Sequence, residues 1–161
     1  MSESTDFFEA MINAGAILSG FTSTFLVFRI QRESEYFRQP ALDFESGKAK
    51  DIDIGLTHFT SSFLLIMLAT VSSLLFGFLI PLFGLAGVVI FSPAAVVAGN
   101  VAAIVLLVGY LADEMIHYRI ISTHLVEDTA EWGREAPLLV VIVLLSLASA
   151  IITFGILKYA A

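Results

Sequence analysis

The sequence predicts an all-α integral membrane protein with four transmembrane helices, and three observations lead to this fold class. Of the 161 residues, 58% are hydrophobic and 14% are charged, whereas soluble domains average about 45–50% and about 25%. The mean hydropathy of +0.91 also excludes a disordered chain. Residues 54–112 contain no Asp, Glu, Lys or Arg, and no soluble core requires an uncharged stretch of that length.

Four segments are long enough to be the spans. A helix needs about 20 apolar residues to cross about 30 Å of hydrocarbon, and residues 8–30, 56–80, 94–112 and 137–157 approach or exceed this length. The first segment is expected to be an uncleaved span and not a signal peptide, because no Lys or Arg precedes it and it exceeds a typical signal h-region. The four spans are expected to form one domain over residues 1–161.

The spans are joined by one short connector and two longer ones. Residues 81–93, which are apolar and glycine-rich, are expected to form a short outer hairpin, with a shallow re-entrant segment as the alternative. The longer connectors, residues 31–55 and 113–136, together with Arg29 hold seven of the eight Lys and Arg residues. The positive-inside rule therefore places both connectors in the cytoplasm and both termini outside the cell membrane.

Both cytoplasmic helix ends are expected to continue beyond the bilayer as solvated helix. Good helix formers follow the first span as far as Pro40, and a proline at this position is expected to stop the helix. The third helix is expected to continue from Asp113 to about Glu131, because Gly and Pro are absent from this stretch.

The first span has one face that differs from the rest of the helix. On a projection at 100° per residue, Leu18, Phe21, Phe25 and Phe28 lie opposite a stripe of small and polar side chains. We call this set the first-span stripe: Glu9, Asn13, Ala16, Gly20, Ser23, Thr24, Val27 and Gln31. Because helices associate in lipid through close packing and hydrogen bonds, the stripe is expected to face protein or water and the phenylalanines to face lipid.

Two interpretations of this stripe lead to two functional hypotheses. The first is a pore wall in a homo-oligomer, with Glu9 as an acidic collar that attracts small cations above a neck at Ala16, Gly20 and Thr24. The second is a packing face, which fits a structural or accessory subunit of a larger membrane complex. A homo-oligomer is favoured over a monomer because four short helices bury a small core and expose many small residues.

Polar side chains in the other spans are expected to stabilise helix packing. In the second span, one face contains six such small or polar residues: His58, Ser61, Ser62, Ala69, Ser72 and Ser73. Asn100 lies in the outer part of the third span, where an amide requires a hydrogen-bond partner. Asn13 is the expected partner, because both residues belong to the outer half of the bilayer.

Ionisable residues at the inner end of the third helix are weak candidates for a metal site: Glu114, His117, His124 and Asp128. A di-iron bundle requires the Glu-x-x-His motif twice and two further carboxylates, and the sequence has one copy, so neither a metal nor another cofactor is expected. A low-ranked alternative is a redox protein in which His58 and His117 hold a heme axially. The simpler interpretation is that these histidines pair with neighbouring carboxylates.

Other classes of function are excluded by composition and by the absence of motifs. The chain has no cysteine, a net charge of −7 and eight basic residues, which disfavours thiol chemistry and nucleic-acid binding. Neither a phosphate-binding loop nor a nucleophile elbow occurs. The predicted function is therefore non-enzymatic, with lipid, copies of the same chain and small cations as the expected partners.

Overall fold

The computed structural model describes residues 2–45, 56–88, 92–122 and 132–160, and every regular element within these ranges is a helix. In chain order the elements are α1 (Ser2–Glu45), α2 (Leu56–Ser72), a π-helical segment (Ser73–Leu79), α3 (Ile80–Leu85), α4 (Pro93–Ser122) and α5 (Trp132–Ala160). α2, the π-helical segment and α3 follow one another without a break.

Four helices are long and apolar enough to cross a membrane, which confirms the predicted fold class at this level. These candidate spans, numbered first to fourth below, are Thr5–Arg32, Ser62–Leu85, Pro93–Met115 and Pro137–Tyr159. By length and composition, these four helices are candidates for membrane-spanning helices. The second span and its helix reach Leu85, so the prediction that a hairpin begins at residue 81 is wrong.

The helix that contains the second span ends in a glycine motif and not at a proline. Gly87 has a φ of 69°, in the left-handed region that glycine adopts without a steric cost. The Val88 N–H donates to the Phe83 carbonyl and the Gly87 N–H to the Gly84 carbonyl, which is the Schellman pattern. Pro81 lies in the first turn of α3, where its fixed φ suits a helix.

Pro81 leaves one carbonyl of the π-helical segment without a backbone donor, and Asn100 supplies a donor from the third span. In π-helical register a carbonyl accepts from the N–H five residues later, as Leu75 does from Ile80. The Phe76 carbonyl would require an N–H at residue 81, and proline has none. The Asn100 side-chain amide donates to this carbonyl at 3.0 Å, so the third span satisfies an acceptor that the second span leaves open.

The second and third spans form the centre of the molecule. The second span packs against the other three, and a core cluster joins Leu65, Ile66 and Ala69 to Leu106, Tyr110 and Ile142. Only 17% of the hydrophobic window of the first span and 11% of that of the fourth are buried. The first and fourth spans therefore expose most of their surface.

α1 continues through Pro40 to Glu45, so the expectation that Pro40 stops this helix is wrong. An internal proline leaves the carbonyl four residues earlier without its helical partner. Because the first span ends at Arg32, that carbonyl lies beyond the span and water can bond to it. α4, which contains the third span, extends to Ser122. The rest of the extension that the sequence predicts for this helix, as far as about Glu131, lies outside the described residues.

Candidate functional site

The face of the first span that packs within the chain is not the predicted stripe. Gly15, Ser19, Thr22 and Arg29 are buried, and they project from the side of the helix away from the stripe. A Cβ at Gly15 would overlap the backbone of Gly77. The two helix backbones are therefore in direct contact at this pair of glycines.

Hydrogen bonds continue this contact toward the end of the first span. The Thr22 and Ser73 hydroxyls lie 3.1 Å apart, and Ser73 also donates to the Thr70 carbonyl at 2.9 Å. Further along, Arg29 Nη2 donates to Ser62 Oγ at 2.8 Å. Gly15, Thr22 and Arg29 are spaced seven residues apart, the repeat that keeps one face of a helix against a partner.

The predicted stripe is on the outer surface of the single chain. Seven of its eight members are exposed and Ser23 is half-buried: the exposed ones are Glu9, Asn13, Ala16, Gly20, Thr24, Val27 and Gln31. No atom would lie within 4 Å of a Cβ at Gly20, and the Thr24 hydroxyl donates to the Gly20 carbonyl of its own helix at 2.8 Å. A contact between this stripe and another molecule remains a prediction.

The aromatic side of the first span is divided between the surface and the interior. Phe21 and Phe28 are 61% and 63% exposed, as expected for side chains that face lipid. Phe25 is half-buried and packs against Tyr110, with ring centroids 6.3 Å apart. Phe25 therefore does not follow the expected pattern, because the third span covers this part of the helix.

The expected pairing of Asn100 with Asn13 is wrong. Asn100 Nδ2 donates to the Phe76 and Val96 carbonyls, each at 3.0 Å, whereas Asn13 lies on the exposed face. In the second span, Ser62, Ala69 and Ser73 are buried and Ser72 is half-buried. The side chains of His58 and Ser61 lie outside the described residues.

A buried ionic cluster lies where the first and third spans end. Arg29 is 2% exposed, and its Nη1 donates to Glu114 Oε1. Arg32 Nη2 donates to the other carboxylate oxygen of Glu114 at 3.0 Å, and Asp113 is also buried. Removing charges from water costs several kcal/mol per ion unless they are paired and hydrogen-bonded, so Glu114 holds the first and third spans together through two arginines.

Sequence reasoning missed this cluster because it assigned each member to a different category. From the sequence, Arg29 groups with the basic residues of the cytoplasmic connectors, and Glu114 is a weak candidate for a metal ligand. The heptad spacing of Arg29 from Gly15 and Thr22 was the pattern that could have placed it on the packing face. Glu114 is the second residue after the uncharged stretch of residues 54–112, where a partner for a buried arginine is expected.

The metal and heme candidates do not form a site in the described part of the chain. No group of three or more His, Asp or Glu side chains that could hold a metal occurs among the described residues. Glu114 is bonded to arginines. The His58 and His117 side chains, His124 and Asp128 lie outside that part, so the heme hypothesis stays a low-ranked prediction.

No family model, curated protein or solved structure matches the chain. The function is therefore argued from the composition, burial and contacts of these residues.

Proposed function

We propose that the chain is a non-enzymatic protein of the cell membrane that assembles through the first-span stripe into a homo-oligomer with a cation pore along its axis. The observation that supports this most strongly is an exposed amide within a candidate span, at Asn13. Asn13 lies within the candidate span Thr5–Arg32, five residues into the apolar segment of residues 8–30, which is about 8 Å at 1.5 Å per residue. Within hydrocarbon, lipid offers the amide no hydrogen bond.

An Asn side chain in hydrocarbon without a partner is unfavourable by several kcal/mol. Asn100 of the third span is not a partner for Asn13, because its amide donates to the Phe76 and Val96 carbonyls. Water in a lumen or a polar group of a second copy would solvate Asn13. A single chain that faces lipid on this side would leave the amide exposed to acyl chains.

The rest of the stripe fits close approach of a second copy. Ala16 and Gly20 are exposed, and the space around Gly20 is open. Small residues four positions apart allow helix backbones to come together in a membrane. The Thr24 hydroxyl is bonded within its own helix, so this side chain faces a neighbour without requiring a new partner.

The charged residue at one end of the stripe, Glu9, favours a pore over a dry interface. Glu9 is exposed one turn before Asn13 on the same face, and a carboxylate excluded from water in a tight interface would be strongly unfavourable. In a ring of copies, Glu9 side chains around an axis would remain hydrated and attract cations. The proposed transported species are therefore small cations.

Cross-linking tests the assembly directly, because the chain has no cysteine of its own. We expect Ala16→Cys and Gly20→Cys to form disulfides between copies in native membranes under oxidation. Phe21→Cys, on the exposed aromatic side of the same helix, is the matched control and should form no disulfide between copies. Equal cross-linking at positions 20 and 21 would contradict a defined interface, and a cross-link to a different protein would favour the accessory-subunit alternative.

Conductance of the purified protein in bilayers then tests the pore. We expect cation-selective currents, with the preference for cations reduced by Glu9→Gln because the collar loses its charge. Ser34→Ala, at an exposed residue near the other end of α1, serves as the control. A cross-linked oligomer without conductance would reject the pore and leave the assembly.

A further inference from the structure

A cleft opens between the first and third spans beside the ionic cluster, on a different face of the first span from the stripe. Its volume is about 600 Å³, within the range of small-molecule pockets. The charged residues that line it are Arg29, Arg32 and Glu114. The side chain of Arg32 is 39% exposed, so a guanidinium borders the open part of the cleft.

The polar part of the cleft lies at the depth of lipid headgroups. The first span ends at Arg32 and the third at Met115, and both residues line the cleft. At 1.5 Å per residue the first span of 28 residues is about 42 Å long, which exceeds about 30 Å of hydrocarbon, so Arg32 at its end is expected among phosphates and glycerol groups and not among acyl chains. Arginine is well suited to phosphate because its planar guanidinium donates two parallel hydrogen bonds.

The remainder of the cleft is apolar and extends away from the charged end, toward the middle of the spans. Its walls include Phe25 and Phe28 from the first span and Tyr110 and Leu111 from the third. Phe25 and Tyr110 precede Arg29 and Glu114 by one helical turn, and so lie deeper in the hydrocarbon. An occupant must therefore combine an anionic head with an apolar chain that follows it into the bilayer.

We propose that this cleft is a binding site for one anionic phospholipid, with the phosphate at Arg32 and an acyl chain along Phe25, Phe28 and Leu111. Basic pockets between membrane helices bind anionic lipid headgroups in this manner. The carboxylate of Glu114 holds both guanidiniums in place, so the site is formed before the lipid arrives. This inference does not depend on the proposed pore.

Lipid contact is measured by fluorescence of Phe28→Trp in the background Trp132→Phe, since the chain has one tryptophan. The full-length protein is reconstituted in phosphatidylcholine–phosphatidylglycerol vesicles of fixed ratio, in which one lipid or the other carries bromines near the carbonyl end of its acyl chains. Ile30→Trp is the matched reporter, because Ile30 is 48% exposed at almost the same depth and is not a cleft residue.

At position 28 we expect quenching to favour brominated phosphatidylglycerol by about fivefold, the effect of one basic residue on an anionic lipid, with no preference at position 30. Arg32→Gln should remove the preference, and Arg32→Lys should retain part of it. If Arg32→Gln fails to fold, the difference in lipid preference between the reporters at positions 28 and 30 still tests the proposal.

Three results would overturn the proposal. Equal quenching by both lipids at position 28 would show that the cleft holds bulk lipid. Absence of quenching there, with normal quenching at position 30, would show that protein covers the cleft. An unchanged preference in the Arg32→Gln variant would show that this guanidinium does not bind the lipid phosphate.

Discussion

The first span has two faces of similar composition that have different surroundings in the folded chain. Gly15 and Thr22 lie on one face, and Gly20 and Thr24 lie on the other. The first pair is buried against the second span, whereas the second pair is exposed. A small and polar composition therefore identifies faces that allow close approach, but it does not identify which of them packs within the chain.

The two faces of the first span differ because only one of them meets matching residues of the antiparallel second span. Moving along the first span, Gly15 meets Gly77, Thr22 meets Ser73 and Arg29 meets Ser62. The partners occur in descending order, as two antiparallel helices require. The stripe has no equivalent set of partners among the residues that the structure describes.

The largest effect that separates the two faces is expected from Arg29→Met compared with Gln31→Met. Arg29→Met leaves the buried Glu114 without one of its two guanidiniums, and we expect a loss of about 3 kcal/mol in the free energy of unfolding, near the lower value for breaking a buried pair because Arg32 remains. Gln31 is exposed, so Gln31→Met should change little. Unfolding by SDS in mixed micelles measures both.

The double variant Arg29→Met with Glu114→Met sharpens this test. Replacing both members of a buried ion pair removes the uncompensated charge, so the double variant should be more stable than Arg29→Met alone. If Arg29→Met and Gln31→Met were equally mild, the buried cluster would not hold the first and third spans together.

The next effect is expected from Gly15→Ala compared with Gly20→Ala. A Cβ at Gly15 would overlap the backbone of Gly77, whereas a Cβ at Gly20 meets nothing within 4 Å. Overpacking of this kind costs about 1–3 kcal/mol, and the helices have to separate because neither backbone can rotate away. Gly20→Ala should be neutral or stabilise the helix by up to about 1 kcal/mol, as measured by the same unfolding titration.

A result of opposite sign at these two glycines would exchange the roles of the two faces. The test is also informative about assembly, since Gly20→Ala that is neutral in micelles but lowers the oligomer fraction in membranes would place a second copy at the stripe. Neutrality at Gly15 would contradict the direct backbone contact.

The four apolar helices could be predicted from the sequence because they depend on segment length and on the lack of charge. Features that depend on a partner in another helix could not be predicted in this way. The role of Asn100 follows from the carbonyl that Pro81 leaves open in the second span, and a helical projection of the third span contains no information about it. The end of the second span at Leu85 depends on the Gly87 turn, which outweighs the turn preference of Pro81.

The exposure of the first-span stripe is a second feature that could not be predicted from the sequence, because it depends on which helices pack against the first span. Helical periodicity grouped Asn13, Gly20 and Thr24 correctly on one face, and they do share an environment. Periodicity has no information on which face another helix covers, because several faces of one span contain small residues. The heptad Gly15–Thr22–Arg29 competes with the stripe only if Arg29, which lies inside the predicted span of residues 8–30, is treated as a buried residue and not as a cytoplasmic charge.

The smallest effect is expected from Thr22→Val compared with Thr24→Val, which change the same hydroxyl to a methyl group two residues apart. The Thr22 hydroxyl is within hydrogen-bond distance of Ser73 in the second span, whereas the Thr24 hydroxyl bonds to its own helix. Hydrogen bonds between membrane helices contribute about 0.6 kcal/mol on average, so Thr22→Val should lower the free energy of unfolding by about that amount.

Thr24→Val should be neutral within the single chain, because its carbonyl partner at Gly20 belongs to the same helix. The Thr22→Val effect should disappear in a Ser73→Ala background, since the double-mutant cycle isolates the pair. If Thr22→Val costs the same with and without Ser73, its single hydroxyl proton goes to the Ser19 carbonyl, which lies 3.1 Å away, and not to Ser73. The buried face would then be specified by the Gly15–Gly77 contact and the ionic cluster, without a contribution from this hydroxyl pair.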